Sequence, residues 1–129
     1  MSMPYLFMAP EDAFLGLEKA DAVGYDQAKA VIIPFGLEAS VSYGGGTAKG
    51  PAAMIEASHQ VELFDEDLWC EAFRRYGVVT MEETQANKKD IAVALGCLSD
   101  RTASVLKDGK FPFVFGGEHS ITPGAIKPF

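Results

Sequence analysis

The stretch FPFVFGGEHSITPGAIKPF, residues 111–129, decides how the rest of the chain is read. An apolar run of five residues stops at Gly116 and Gly117, presents Glu118, His119 and Ser120, and then turns helical. An unbroken apolar run bounded by glycine is the pattern of a strand buried on both faces of a parallel sheet. Thr122 and Pro123 fit the N-cap and first turn of the helix that follows. In such sheets ligands bind beyond the carboxyl ends of the strands, where the Gly-Gly-Glu-His-Ser segment falls.

Working outward, KAVIIPFG (29–36) is a second continuous apolar run, rich in β-branched residues and ended by Pro34 and Gly36. LEASVSYGGGTAKG (37–50) reads as a glycine-rich loop, and Pro51 opens a helix over 51–60. VELFDEDL (61–68) and YGVVTM (76–81) are further strand candidates. A long helix is expected over about 86–107, because Ile91, Leu95, Leu98 and Val105 fall on one stripe. A shorter helix is expected over PEDAFLGLEKAD (10–21), with acids in its first turn. Alternating apolar strands and helices predict a three-layer α/β/α arrangement around a mainly parallel sheet, in one unit spanning 1–129.

Composition narrows the partners. The chain has 129 residues, 48% hydrophobic and 22% charged, with a net charge of −7. That balance argues against nucleic acid, which needs a basic patch, and is mildly favourable to a cationic ligand. No run approaches the roughly 20 apolar residues that span a bilayer, and the N-terminus lacks a secretory pattern. A cytoplasmic location without membrane partners is expected. Cys70 and Cys97 are expected to be free thiols.

The candidate chemistry centres on His119. A neutral imidazole after two glycines is a good ligand for zinc, manganese or iron; equally, it fits a hydrogen-bonded histidine in a strand-to-helix turn. Glu118 and Ser120 fit a ligand or supporting position, or turn and cap chemistry. Adjacency of serine and histidine does not make a Ser-His-Asp triad. SYGGGTAKGP (42–51) fails the phosphate-loop pattern, because its lysine precedes Gly50, and fails G-x-G-x-x-G because position 49 is lysine. It remains a candidate ligand-side loop. The acids of FDEDLW (64–69) read as a solvated face, and His59 as a surface or packing histidine.

Taken together, FVFGGEHSIT (113–122), VIIPFG (31–36), SVSYGGGTAKGPAAMIEAS (40–58) and VELFDEDL resemble the ureohydrolases, the arginase and agmatinase family, in their N-terminal portion. The resemblance runs from about residue 30 to residue 129 and favours the agmatinase branch. It implies an arginase-like fold truncated after about its first half. It also implies hydrolysis of a guanidino group, agmatine to putrescine and urea, by a hydroxide that two manganese ions make nucleophilic at neutral pH. His119 would be a manganese ligand, with Gly116, Gly117, Glu118 and Ser120 supporting it. Ser42, Tyr43, Gly44, Gly45 and Gly46 would form the substrate-side loop. The family's other ligands lie in later Asp-Ala-His-x-Asp and Ser-x-Asp-x-Asp motifs that this sequence does not contain. The resemblance therefore implies an agmatinase-type enzyme whose 129 residues bind manganese weakly and are inactive alone. Unpaired strand edges imply self-association into a homo-oligomer. The alternatives are a non-catalytic scaffold or assembly module, and, more remotely, a deacetylase of the same overall fold.

Overall fold

The computed structural model describes residues 4–84 and 88–129. Its elements run β1 (Ala30–Phe35), α1 (Gly50–Ser58), α2 (Phe73–Tyr76), β2 (Val78–Thr80), α3 (Ile91–Lys107), β3 (Phe111–Gly116) and α4 (Thr122–Ile126). The three strands form one parallel sheet in the order β2-β1-β3. Val31 lies opposite Val79 on one side and Pro112 on the other. The parallel sheet read from the two apolar runs is thus present, with β1 at its centre.

Alternation along β1 divides the core. Val31, Ile33 and Phe35 face α3 and pack with Ala94, Leu98 and Val105. Ile32 faces the other way and packs with Leu17, Phe73 and Val78, with Phe14 and Phe115 alongside. Leu98 and Val105 of the expected helical stripe are fully buried. Ile91 and Leu95 are half-buried, and Arg101 and Thr102 complete the inward face. Leu95 instead supports α4, whose Gly124 approaches the Leu95 carbonyl so closely that an added Cβ would lie 2.8 Å from it.

Two prolines shape the sheet. Successive residues of a strand turn their backbone groups to opposite neighbours. Ala30 N–H and the Ile32 carbonyl serve the β2 side, so Pro34 falls where the next N–H toward β2 would be. The β1–β2 ladder stops there. Phe111 N–H points to the carbonyl of Lys29, the residue just before β1, so the position of Pro112 faces the outer edge of β3.

Five sequence expectations change. Residues 10–21 form turns, because Leu15 and Gly16 take positive φ (74° and 57°). The amides of Phe14 and Leu15 donate to Thr80 Oγ1 and Ser58 Oγ in place of helical carbonyls. Residues 61–68 form no strand: Asp65 accepts from Leu68 N and exchanges backbone hydrogen bonds with Cys70, closing a tight turn. The long helix begins at Ile91, since the Asp90 side chain caps it by accepting from Val93 N; Ala86 lies outside the described residues. β3 is not buried on both faces. Phe111 and Phe113 are 59% and 52% exposed and, with Phe115, line an open groove of about 460 Å³. Thr122 is the first residue of α4, not its cap, and its hydroxyl donates to the His119 carbonyl.

Leu98→Ala is expected to lower unfolding free energy by roughly 2–5 kcal/mol, the range for a buried leucine whose site cannot collapse. Urea unfolding followed by far-ultraviolet circular dichroism measures it. A loss below about 1 kcal/mol would contradict the packing of α3 on β1.

Candidate functional site

Three segments leave the carboxyl ends of the strands: 36–49 after β1, 81–84 after β2 and 117–121 after β3. Backbone pairing continues a little past the strands, with Gly117 N donating to the Phe35 carbonyl (3.2 Å) and Glu118 N to the Leu37 carbonyl (2.8 Å). This close approach explains the glycine. A Cβ on Gly117 would lie 2.3 Å from the Leu37 carbonyl oxygen, and one on Gly36 would lie 2.1 Å from that of Ala48. Space, rather than an unusual φ, is what Gly117 supplies. Gly116 is the last residue of β3, and a Cβ there would meet the tip of Ile121.

Glu118 is 8% exposed. Its Oε2 accepts from the amides of Ala39 (2.9 Å) and Ser40 (2.8 Å). Its Oε1 accepts from the hydroxyls of Ser40 (2.8 Å) and Ser120 (2.6 Å). The Ser120 hydroxyl, followed by the Ser40 amide, holds the Glu118 carboxyl down at about 2, with burial opposing. Two further carboxylates grip the same loop. Glu83 accepts from Gly36 N (2.6 Å), the amide just beyond Pro34, and pairs with Lys88. Glu38 accepts from Gly46 N and Ala48 N, which lower its own pKa, the Ala48 bond most.

His119 opens a 3-10 turn (His119–Ile121) and is exposed. Residues 42–46 are all exposed, Tyr43 at 98%. The structure therefore brings Glu118 and Ser120 together with the root of the glycine-rich loop, while Ser42, Tyr43, Gly44 and Gly45 stand in the open part of that loop. His59 packs: its ring lies against Gly16 and its Nε2 donates to the Ala13 carbonyl at 2.8 Å. Glu66 and Asp67 are solvated, and Cys70 and Cys97 are free thiols. Glu38 and Glu83 are the residues that reading the sequence did not single out; no local pattern marks an acid whose partner is a distant backbone amide.

A metal site needs three or more protein donors. Among the described residues no three of His, Cys, Asp and Glu group closely enough to hold an ion. Both oxygens of Glu118 are committed to the loop. His119 thus offers one exposed imidazole, and the described residues do not make up a metal centre by themselves.

Gly117→Ala is expected to cost roughly 1–3 kcal/mol, as overpacking against backbone does, and more than Gly116→Ala, where only a side-chain tip must move. Urea midpoints compare the two. Because the folded pKa of Glu118 is depressed, its bonds stabilise the fold above about pH 4.5 and that contribution is lost as pH falls toward 2. Carboxyl-carbon NMR is expected to show Glu118 still ionised at pH 3.5; a midpoint near 4.5 would contradict the four-donor clasp.

Residues 28–129 match the arginase family. Over 131 aligned residues the chain is 34% identical to an N(1)-aminopropylagmatine ureohydrolase of Synechocystis sp., covering 98% of this chain and 42% of that protein. The chain therefore spans well under half the length of that relative. The agmatine ureohydrolase structure of Thermoplasma volcanium superposes with a TM-score of 0.74 at 24% identity, over 92% of this chain and 38% of that one. The Bacillus subtilis arginase structure gives 0.59 at 24%, over 78% and 33%. Both likenesses carry the fold, a parallel sheet flanked by helices. With the family matched over residues 28–129 and a relative above 30% identity, the chain belongs to the arginase family.

Proposed function

We propose that these residues are the N-terminal portion of an agmatinase-type ureohydrolase, which hydrolyses a guanidino group to urea and an amine with two manganese ions. The observation that carries the proposal is the β3 strand end, Gly-Gly-Glu-His-Ser, clasped to the glycine-rich loop within a chain of this family. His119, exposed at the carboxyl end of the sheet, is proposed as one manganese ligand. Gly117 gives it a close backbone approach to the loop, and Ser120 and Glu118 hold the turn. Residues 42–46 are proposed to face the substrate. An overall charge of −7 favours the approach of a cationic guanidino compound. Agmatine is the favoured substrate from the sequence resemblance. The Synechocystis relative's name adds an aminopropyl derivative of agmatine to the compounds that need comparison.

The lack of a three-donor cluster among the described residues favours a second reading of the 129 residues taken alone, as a scaffold that keeps the fold without the reaction. The coding sequence beyond residue 129 separates the two. In-frame Asp-x-His and Asp-x-Asp strand ends support the enzyme, and a native stop codon there supports the scaffold.

Urea release tests the activity. The complete open reading frame, supplied with manganese, is expected to release urea from agmatine or its aminopropyl derivative in preference to arginine, guanidinobutyrate and guanidine. His119→Ala is expected to lower that rate on the order of 100-fold or more. The 129-residue chain alone is expected to release none. Silence of the complete frame on every guanidino compound would overturn the ureohydrolase reading. Urea from the 129-residue chain would overturn its inactivity.

A further inference from the structure

Resting on the reading of 42–46, within the glycine-rich loop 37–50, as substrate-side, we infer that Glu118 is a positioning residue that locks this loop to the His119 turn, so that the two move as one body. Three observations carry this. Glu118 is buried although it stands beside an exposed histidine, so its carboxylate is turned away from solvent and into the fold. Each of its oxygens takes two donors, three of the four from Ala39 and Ser40, which lie 78 or 79 residues earlier in the chain. The fourth comes from Ser120, on the far side of His119, so the carboxylate spans the histidine and ties the start of the loop to both flanks of the turn.

The same loop is held elsewhere by Glu83 at Gly36 and by Glu38 at Gly46 and Ala48. Those bonds fix the root of the loop and its return, but neither reaches the 117–121 turn. Among the described residues, Glu118 is a side chain whose hydrogen bonds join loop to turn, assisted by the backbone bond from Glu118 N to the Leu37 carbonyl. A side chain with four donors cannot be replaced by an amide of the same shape. Glutamine keeps one acceptor oxygen and sets an NH₂ against N–H donors, leaving buried amides without partners. Aspartate keeps both acceptor oxygens and the charge on a side chain one methylene shorter, and the backbone bond from residue 118 N to the Leu37 carbonyl keeps loop and turn together.

Residue-resolved amide exchange on the 129-residue chain tests this, with urea unfolding of each variant as a check on overall stability. Glu118→Gln is expected to speed exchange at Ala39, Ser40 and the following loop amides at least tenfold. Val31, Ile33 and Leu98 should speed only as far as the measured loss of unfolding free energy requires, and less than the loop, and the His119 ring signals should shift. Glu118→Asp is expected to restore the loop to within about threefold of the parent. Ser40→Ala, a milder change, is expected to speed the loop as well, and in the double variant with Glu118→Gln to add nothing further. Equal loop exchange in Glu118→Gln and the parent would overturn the inference. So would a uniform rise across loop and core, or additive effects in the double variant. None of these readouts depends on urea release, so failure of the ureohydrolase reading leaves its own, separate mark.

Discussion

A carboxylate taken out of water must be met by donors, and that constraint organises the carboxyl end of this sheet. Glu118 meets it with two backbone amides and two hydroxyls drawn from segments far apart in sequence. The consequence spreads outward. The loop that supplies the donors must lie against the strand end, and the strand end must carry no Cβ where the loop's carbonyls pass, hence Gly117 and Gly36. The loop's return to α1 is then gathered by Glu38, and its root by Glu83. Each acid satisfies backbone groups that no strand or helix can serve.

This arrangement separates what is fixed from what is open. The central strand is buried between two clusters of side chains, and α3 lies on one of them over most of its length. The loop tip around Tyr43 and the imidazole of His119 face solvent. Chemistry-bearing groups thus stand on loops held by a rigid frame, the usual division of labour in α/β proteins.

The frame was readable because its signals are local. The run at 31–35 cannot face water on either side, Pro51 suits the first turn of a helix and not its interior, and the stripe on α3 repeats at helical spacing. The readings that failed were those in which distant side chains compete for backbone groups. Residues 10–21 have the composition of a helix, yet Thr80 and Ser58 take two of its amides and Leu15 turns left-handed. Residues 61–68 have strand-like residues, yet Asp65 folds them back on themselves. At the site, Glu118 and His119 stand out by their position after two glycines. That Glu118 reaches Ser40 is a property of the fold, not of any window of sequence.

Pro112 lies on the outer edge of β3, where its ring takes the place of an outward N–H. A strand adding to that edge therefore loses a rung at the very residue flanked by the exposed phenylalanines, and finds outward donors only from Val114 on. The aromatic ladder is apolar enough to attract another chain, but the backbone beneath it is poorly suited to extend a sheet. Contacts there favour side-chain packing across the sheet's face over growth of the sheet at its rim. In a segment as aromatic as residues 111–115, that one ring acts as a brake on fibre-like aggregation.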